Sequence, residues 1–124
     1  MKIKAISIVA PSGSMIVRGE KTLEVRRWRP DLSENEDLLV VENQHYLSPT
    51  KETDPDGYAI ALIQIAGIRN FRHDDMKATC SSYYEDGWLA WEINNIRPLM
   101  RPFRAIAKRK IYLLEVDEEN LQIK

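Results

Sequence analysis

Between Ala59 and Ile68 every residue except Gln64 and Gly67 is Ile, Ala or Leu. This is the longest apolar stretch in the chain, and it falls far short of the roughly 20 residues that cross a bilayer. Extended to Tyr58, it predicts a central strand, and the rest of the chain is organised around it. Lys2 to Ala10 alternates at first and then turns fully apolar, as a strand does on entering a core. Pro11 ends that strand. Ser12-Gly13-Ser14 then offers turn chemistry and a capping hydroxyl ahead of Met15-Ile16-Val17, and Gly19 supplies a stop, so a helix of about two turns is expected.

Thr22 to Trp28 fits a period of two, with Leu23 and Val25 on one face and Glu24, Arg26 and Trp28 on the other. Arg29-Pro30-Asp31 breaks it. Leu38–Val41, Trp88–Ile96 and Lys110–Val116 read as further strands, each apolar, aromatic or β-branched. Gln44 to Gly57 reads as a mobile loop, and 69–86 as a polar segment of modest helical character. About six strands, one or two short helices and no alternation of strand with long helix predict a small α+β barrel. There is no internal repeat or low-complexity segment.

The 124 residues, 44% hydrophobic and 30% charged, suit one domain over residues 1–124 with its own core. Cys80 is the only cysteine, so no intramolecular disulfide is available. With no long apolar leader and no membrane-length run, a soluble, cytoplasmic protein is expected. His45 and His73 lie far apart, and Cys80 has no partner at zinc spacing, so neither a metal nor another cofactor is expected. Nucleophile-elbow and phosphate-loop motifs are absent.

The formal net charge of −1 conceals a division along the chain. Residues 1–30 carry seven Lys/Arg against two Asp/Glu, and 93–114 carry six against none. The middle, 31–92, carries four against thirteen. Arg97, Arg101, Arg104, Lys108, Arg109 and Lys110 make up the second basic block. Its two prolines disfavour helix, and an extended basic segment can follow a phosphate backbone. If the fold brings the two basic blocks together, a locally positive cleft results on a nearly neutral protein.

The densest chemistry lies in Gly19-Glu20-Lys21-Thr22-Leu23-Glu24-Val25-Arg26. On a strand that follows a Gly turn, Lys21, Glu24 and Arg26 would line one wall. A carboxylate between two cations stays ionised and holds them in place for a phosphate, a carbonyl or an oxyanion. The plainer alternative is a surface ion-pair ladder worth less than about 1 kcal/mol per pair. Arg26-Arg27-Trp28-Arg29 sets guanidiniums around an indole, the combination that single-stranded nucleic acids favour. Trp28 is a candidate platform, whereas Trp91, in an apolar strand, suits core filling as well as ligand contact. Ser12 and Ser14, ahead of the short helix, are candidates either for anion binding or for simple capping.

The segment Gly19 to Arg26 resembles the G-x-K-x-x-E-x-R pattern of the ASCH domain family, part of the PUA-like superfamily. The resemblance continues through Val25-Arg26-Arg27-Trp28, through Leu89-Ala90-Trp91-Glu92-Ile93 and through Ile96-Arg97-Pro98-Leu99. It implies a small PUA-like β-barrel whose cleft accepts RNA or a modified nucleoside or nucleotide. It supports a cleft lined by Lys21, Glu24, Arg26 and Trp28, and with the readings above the candidate binding residues are Ser12, Ser14, Lys21, Glu24, Arg26, Arg27, Trp28, Trp91 and Arg97. Some family members are amidohydrolases that deacetylate N4-acetylcytidine with a lysine, a threonine three residues later and a distant glutamate; others are described as lysine-dependent ribonucleases. Lys21 matches the lysine, Glu24 stands where the threonine would be, and Glu85 or Asp74 would supply the distant carboxylate. Ser12 departs from the tryptophan often found after the proline in relatives. The expected activity is therefore RNA or nucleotide binding by a monomer or weak homodimer, with a hydrolase acting through Lys21 as the alternative.

Overall fold

The computed structural model describes residues 1–80, 85 and 87–124. Among the described residues eight strands form: β1 (Lys2–Val9), β2 (Leu23–Arg26), β3 (Leu38–Asn43), β4 (Thr53–Asp54), β5 (Tyr58–Asn70), β6 (Leu89–Arg104), β7 (Ala107–Lys108) and β8 (Ile111–Glu115). Six of them build one sheet in the order β2-β6-β5-β3-β1-β8, curled into a half-barrel, and β4 pairs with β7 as a separate ribbon. The helices are short: α1 (Ser12–Val17) and α2 (Met76–Thr79), with 3-10 turns at His73–Asp75 and Glu118–Leu121.

β1 and β3 run parallel, pairing Ala5 with Leu39 through Val9 with Asn43, and every other pairing is antiparallel. Side-chain alternation splits β3 between two cores. Leu39 and Val41 join Ala5, Ala59, Leu62 and Leu99 on one side. Leu38 and Val40 join Ile6, Ile8, Ile16, Ile63 and Trp91 on the other. A strand covered on both faces reads as an unbroken apolar run, which is why Leu38–Val41 and Ala59–Ile63 lack the polar alternation of β1.

Three expectations are corrected. The central strand runs on to Asn70, and β6 reaches Arg104 rather than ending at Ile96. The second half of β6 carries Pro98 and Pro102, and register shifts in its pairing with β5 accommodate them. The C-terminal segment backs this half: the Met100 amide donates to the Gln122 carbonyl at 2.7 Å, and the Lys124 amide to the Pro98 carbonyl at 3.0 Å. The stretch from Gln44 to Gly57 is built rather than mobile. Asp54, 1% exposed, accepts backbone N–H bonds from Gln44 (3.0 Å), His45 (3.3 Å) and Asp56 (2.9 Å). Burial acts to raise its pKa, but those donors outweigh it and hold the carboxyl below its ordinary value. The loop is thereby fixed to the end of β3.

Helix α1 has too few residues to persist alone. Ile16 is fully buried, and Glu42 of β3 holds the first turn, accepting from the Ser14 amide at 2.7 Å and the Ser14 hydroxyl at 2.9 Å. No side chain caps the helix from Pro11, so the capping oxygen comes from across the fold, where the sequence had offered a local hydroxyl. Gly13 leaves room for that carboxylate, since a Cβ there would meet Glu42 Oε2 at 2.9 Å.

Candidate functional site

Lys21 follows the loop that leaves α1, where Gly19 takes a positive φ of 77°. Its side chain turns inward and is 6% exposed. Nζ donates to the Thr79 carbonyl at 2.9 Å, completing a last-turn carbonyl of α2, and lies 3.6 Å from Glu24 Oε1. Glu24 is 8% exposed, its Oε1 also accepts from the Val25 amide at 3.1 Å, and its Oε2 lies 3.6 Å from Arg26 Nη2. Arg26 in turn donates to the Ser7 carbonyl on β1 at 3.0 Å. The three charges thus form a mostly covered chain from α2 to β1, with Glu24 at its centre. The surface-ladder alternative does not describe it, because two of the three groups are buried.

A cleft of about 550 Å³ opens beside this chain. One wall is β2 with the two residues after it: Glu24, Val25, Arg26, Arg27 and Trp28, with Trp88 above. The floor is the end of β1, Ser7 to Val9, with Ser12. The opposite wall comes from the two segments joined by the β4–β7 ribbon, contributing Asn43, Tyr46 and Leu47 on one side and Lys108, Arg109 and Lys110 on the other. Arg27 lies over the Trp88 ring at 5.2 Å, and its Nη2 is 4.0 Å from exposed Glu85. Trp28 stands edge-on to Trp91, ring centres 5.0 Å apart and planes at 85°. The fixed groups of the cleft are therefore cations, indoles and a few acceptors.

Of the residues singled out from sequence, Ser12, Glu24, Arg26, Arg27 and Trp28 line this one cleft. Lys21 backs the wall from behind Glu24 and is not among the lining residues. Ser14 is engaged by Glu42 and offers its amide and hydroxyl inward. Trp91 is fully buried and supports Trp28 from the core. Arg97 lies apart, its guanidinium donating to both carboxylate oxygens of Asp37, and with Gln64 it keeps the Asp37 carboxyl below its ordinary pKa against the opposing effect of burial. Arg101 lines a second groove with Glu119 and Asn120, and Arg104 lies 5.8 Å over the Tyr58 ring. The second basic block is thus split: only its end, Lys108 to Lys110, reaches the cleft. Asp74 is exposed, whereas its neighbour Asp75 is buried in a two-point ion pair with Arg69 at 2.6 and 2.9 Å.

Sequence reasoning missed Asn43 and Tyr46. Both belong to the stretch around a loop read as mobile, and nothing local marks them as facing a cleft. Tyr46 is 81% exposed. Asn43 is 3% exposed, and its amide nitrogen donates to the His45 carbonyl. Among the described residues no group of three or more His, Cys, Asp or Glu is placed to hold a metal, and no helix is long and apolar enough to cross a membrane.

A curled six-stranded α+β sheet, with a charged and aromatic cleft where its edge strand β2 meets the end of β1, defines the class: a small α+β half-barrel. The family within that class is given by the sequence match, and the chain belongs to the ASCH domain family, whose model covers residues 6–103. Crystal structures of an ASCH protein from Zymomonas mobilis share the fold. The unsubstituted protein superposes with a TM-score of 0.55 at 15% identity, over 94% of this chain and 89% of that one. A serine-to-alanine variant gives 0.58 at 16% identity over the same shares. A tyrosine-to-phenylalanine variant gives 0.56 at 18%, over 84% of this chain and 76% of that one. At such identities the likeness is one of fold. Among curated proteins none matches the chain.

Proposed function

We propose that this protein binds single-stranded RNA, or a nucleotide from it, in the cleft between β2 and the Lys108–Lys110 turn. The observation that carries this reading is that one cleft is lined by cations from two separate segments, Arg26 and Arg27 of the β2 segment and Lys108, Arg109 and Lys110, together with the Trp28 and Trp88 rings. Cations from two segments suit a phosphate backbone, and flat rings beside them suit bases, whatever their sequence. The buried chain Lys21–Glu24–Arg26 sets the direction of Arg26 rather than presenting a reactive amine, since Lys21 Nζ is spent on Thr79 and Glu24. A carboxylate at Glu24 also provides no hydroxyl nucleophile. Binding is therefore favoured over hydrolysis.

The test is a mobility shift of a short single-stranded RNA at low salt, with N4-acetylcytidine and the RNA itself assayed for turnover in parallel. Retarded RNA with both substrates intact is the expected result. No retardation at low salt overturns RNA binding, and deacetylation or cleavage lost on Lys21→Arg substitution overturns the preference for binding.

A further inference from the structure

Ser7 touches both sets of cations in the cleft. Its carbonyl accepts from Arg26 Nη2 at 3.0 Å, and its hydroxyl oxygen accepts from the Lys108 amide at 3.1 Å. The β1–β8 ladder runs only from Lys2 and Glu115 to Ile6 and Ile111, and just before Ile111 the chain takes a positive φ of 60° at Lys110. Ser7 is thus the first residue of β1 beyond that ladder, still paired on its other side with Val41 of β3. Its hydroxyl ties the Lys108–Lys110 segment to a strand that is itself held in the sheet.

The donors along this contact can be assigned. Tyr112 Oη lies 2.9 Å from the Ile106 carbonyl, which only accepts, so the phenol proton goes there. Ser7 then donates its own proton to Tyr112 Oη, 3.2 Å away, and keeps its lone pairs for Lys108. Burial pushes the Tyr112 phenol above its ordinary pKa, so at neutral pH the proton stays on it. The Ile106 carbonyl and the Lys108 amide flank the fully buried Ala107, and Tyr112 and Ser7 hold the chain on either side of it. Ser7 lines the cleft, whereas Tyr112 does not.

We infer that Ser7, backed by Tyr112, is the positioning residue of the cleft: it fixes the Lys108–Lys110 segment to β1, which also receives Arg26, and so prearranges both sets of cations for one phosphate backbone. This rests on the reading of the cleft as an RNA site and names the residue on which its arrangement depends. Lys108, Arg109 and Lys110 are exposed, and a mobile backbone beneath such long side chains would add to the freedom lost on binding. A fixed backbone removes that part of the cost before RNA arrives. The Ser7 hydroxyl is committed to Tyr112 and Lys108, so its contribution passes through the segment and not through a contact of its own with RNA.

Fluorescence anisotropy with labelled octa-C at low salt, on Ser7→Ala, Ser7→Thr and Tyr112→Phe beside the unsubstituted protein, tests this directly. Ser7→Ala is expected to weaken binding by about three- to tenfold, the cost of ordering one or two long side chains. Ser7→Thr keeps the hydroxyl and is expected to bind like the parent. Tyr112→Phe is expected to weaken binding by about two- to fivefold, although Tyr112 does not line the cleft and has no contact with RNA to lose. Amide hydrogen exchange of the free proteins is expected to show Lys108 losing protection in Ser7→Ala while the amides of β3 and β5 keep theirs. Parental affinity in Ser7→Ala overturns the inference. So does parental affinity in Tyr112→Phe when Ser7→Ala is weakened, because Ser7 then acts by direct contact. Equal losses in Ser7→Ala and Ser7→Thr, or protection lost throughout the sheet, overturn it as well, since the effect then lies in the fold. Each of these outcomes leaves RNA binding intact. Failure of the unsubstituted protein to bind octa-C overturns the RNA reading itself, and the positioning with it.

Discussion

Lys21 Nζ sits 3.6 Å from Glu24 Oε1 with both side chains almost wholly covered. The pair is therefore part of the fold before it is part of any chemistry. Removing one member of a buried pair strands the other charge, which costs about 3–5 kcal/mol where burial is complete. Lys21→Ala is expected to lower stability by about 2–4 kcal/mol in urea unfolding, since Arg26 still faces Glu24 and softens the loss. Lys21→Arg is expected to cost less. Loss of function in Lys21→Ala alone thus reports unfolding as readily as catalysis, and the melting profile has to accompany any activity measurement.

Glu42 and α1 supply the second prediction. Ser14→Ala removes the 2.9 Å hydroxyl bond but keeps the 2.7 Å amide bond, so a loss of about 1 kcal/mol is expected. Gly13→Ala is expected to cost more, about 1–3 kcal/mol, because the new Cβ would meet Glu42 Oε2 at 2.9 Å and Ile60 Cδ1 at 3.1 Å. Thermal melts of the two variants rank them. The reverse order would mean that Glu42 moves aside without loss and that the cap contributes little.

These contacts also mark where the sequence was readable. Leu23 to Arg26 could be placed as a strand because its period of two is unbroken and a glycine precedes it, and that alone brought Glu24 and Arg26 to one face. The run from Ala59 to Ile68 announced a central strand because burial on both sides removes polar residues from its first half, Ala59 to Ile63. The role of Glu42 was not readable, since the amide and hydroxyl it accepts from lie 28 residues away on another element. Nor was the length of β6: Pro98 and Pro102 break the local pattern, and only the register shifts and the returning C-terminal segment make them tolerable. Asn43 and Tyr46 escaped notice because the order of their loop depends on Asp54, a residue whose spacing looks like any turn.

Asp54 gives the third prediction, in which pH and stability are linked. Its carboxyl is held below its ordinary value in the folded state. A depressed folded pKa contributes stability that is present above the unfolded value, about 3.9, and is lost as pH falls through the folded value. Asp54→Ala, which removes three bonds to backbone N–H groups, is expected to destabilise by roughly 2 kcal/mol or more at pH 7. Urea midpoints of variant and parent are expected to start converging as pH falls below about 4 and to come together only below the depressed folded value, where the parent loses the same bonds by protonation. A gap that stays constant down to pH 3 would mean that the shape of the side chain, not its charge, holds the loop.

Ionic strength separates the cations of the cleft from the rest. Arg27, Lys108 and Arg109 are exposed and line it, whereas Arg101 is exposed beside Glu119 in another groove. Each cation that neutralises a phosphate of a single strand releases counterions and adds roughly 0.7 to the slope of log affinity against log salt. Arg27→Ala and Lys108→Ala are each expected to weaken binding of octa-C and to reduce that slope by about 0.7. Arg101→Ala is expected to leave both unchanged, although it removes the same charge from the protein as a whole. An equal effect of all three would place the attraction in the overall field of the molecule rather than in the cleft. Titrations at several salt concentrations, with the three variants side by side, decide between contact and field, because only direct contact makes the slope depend on which cation is removed.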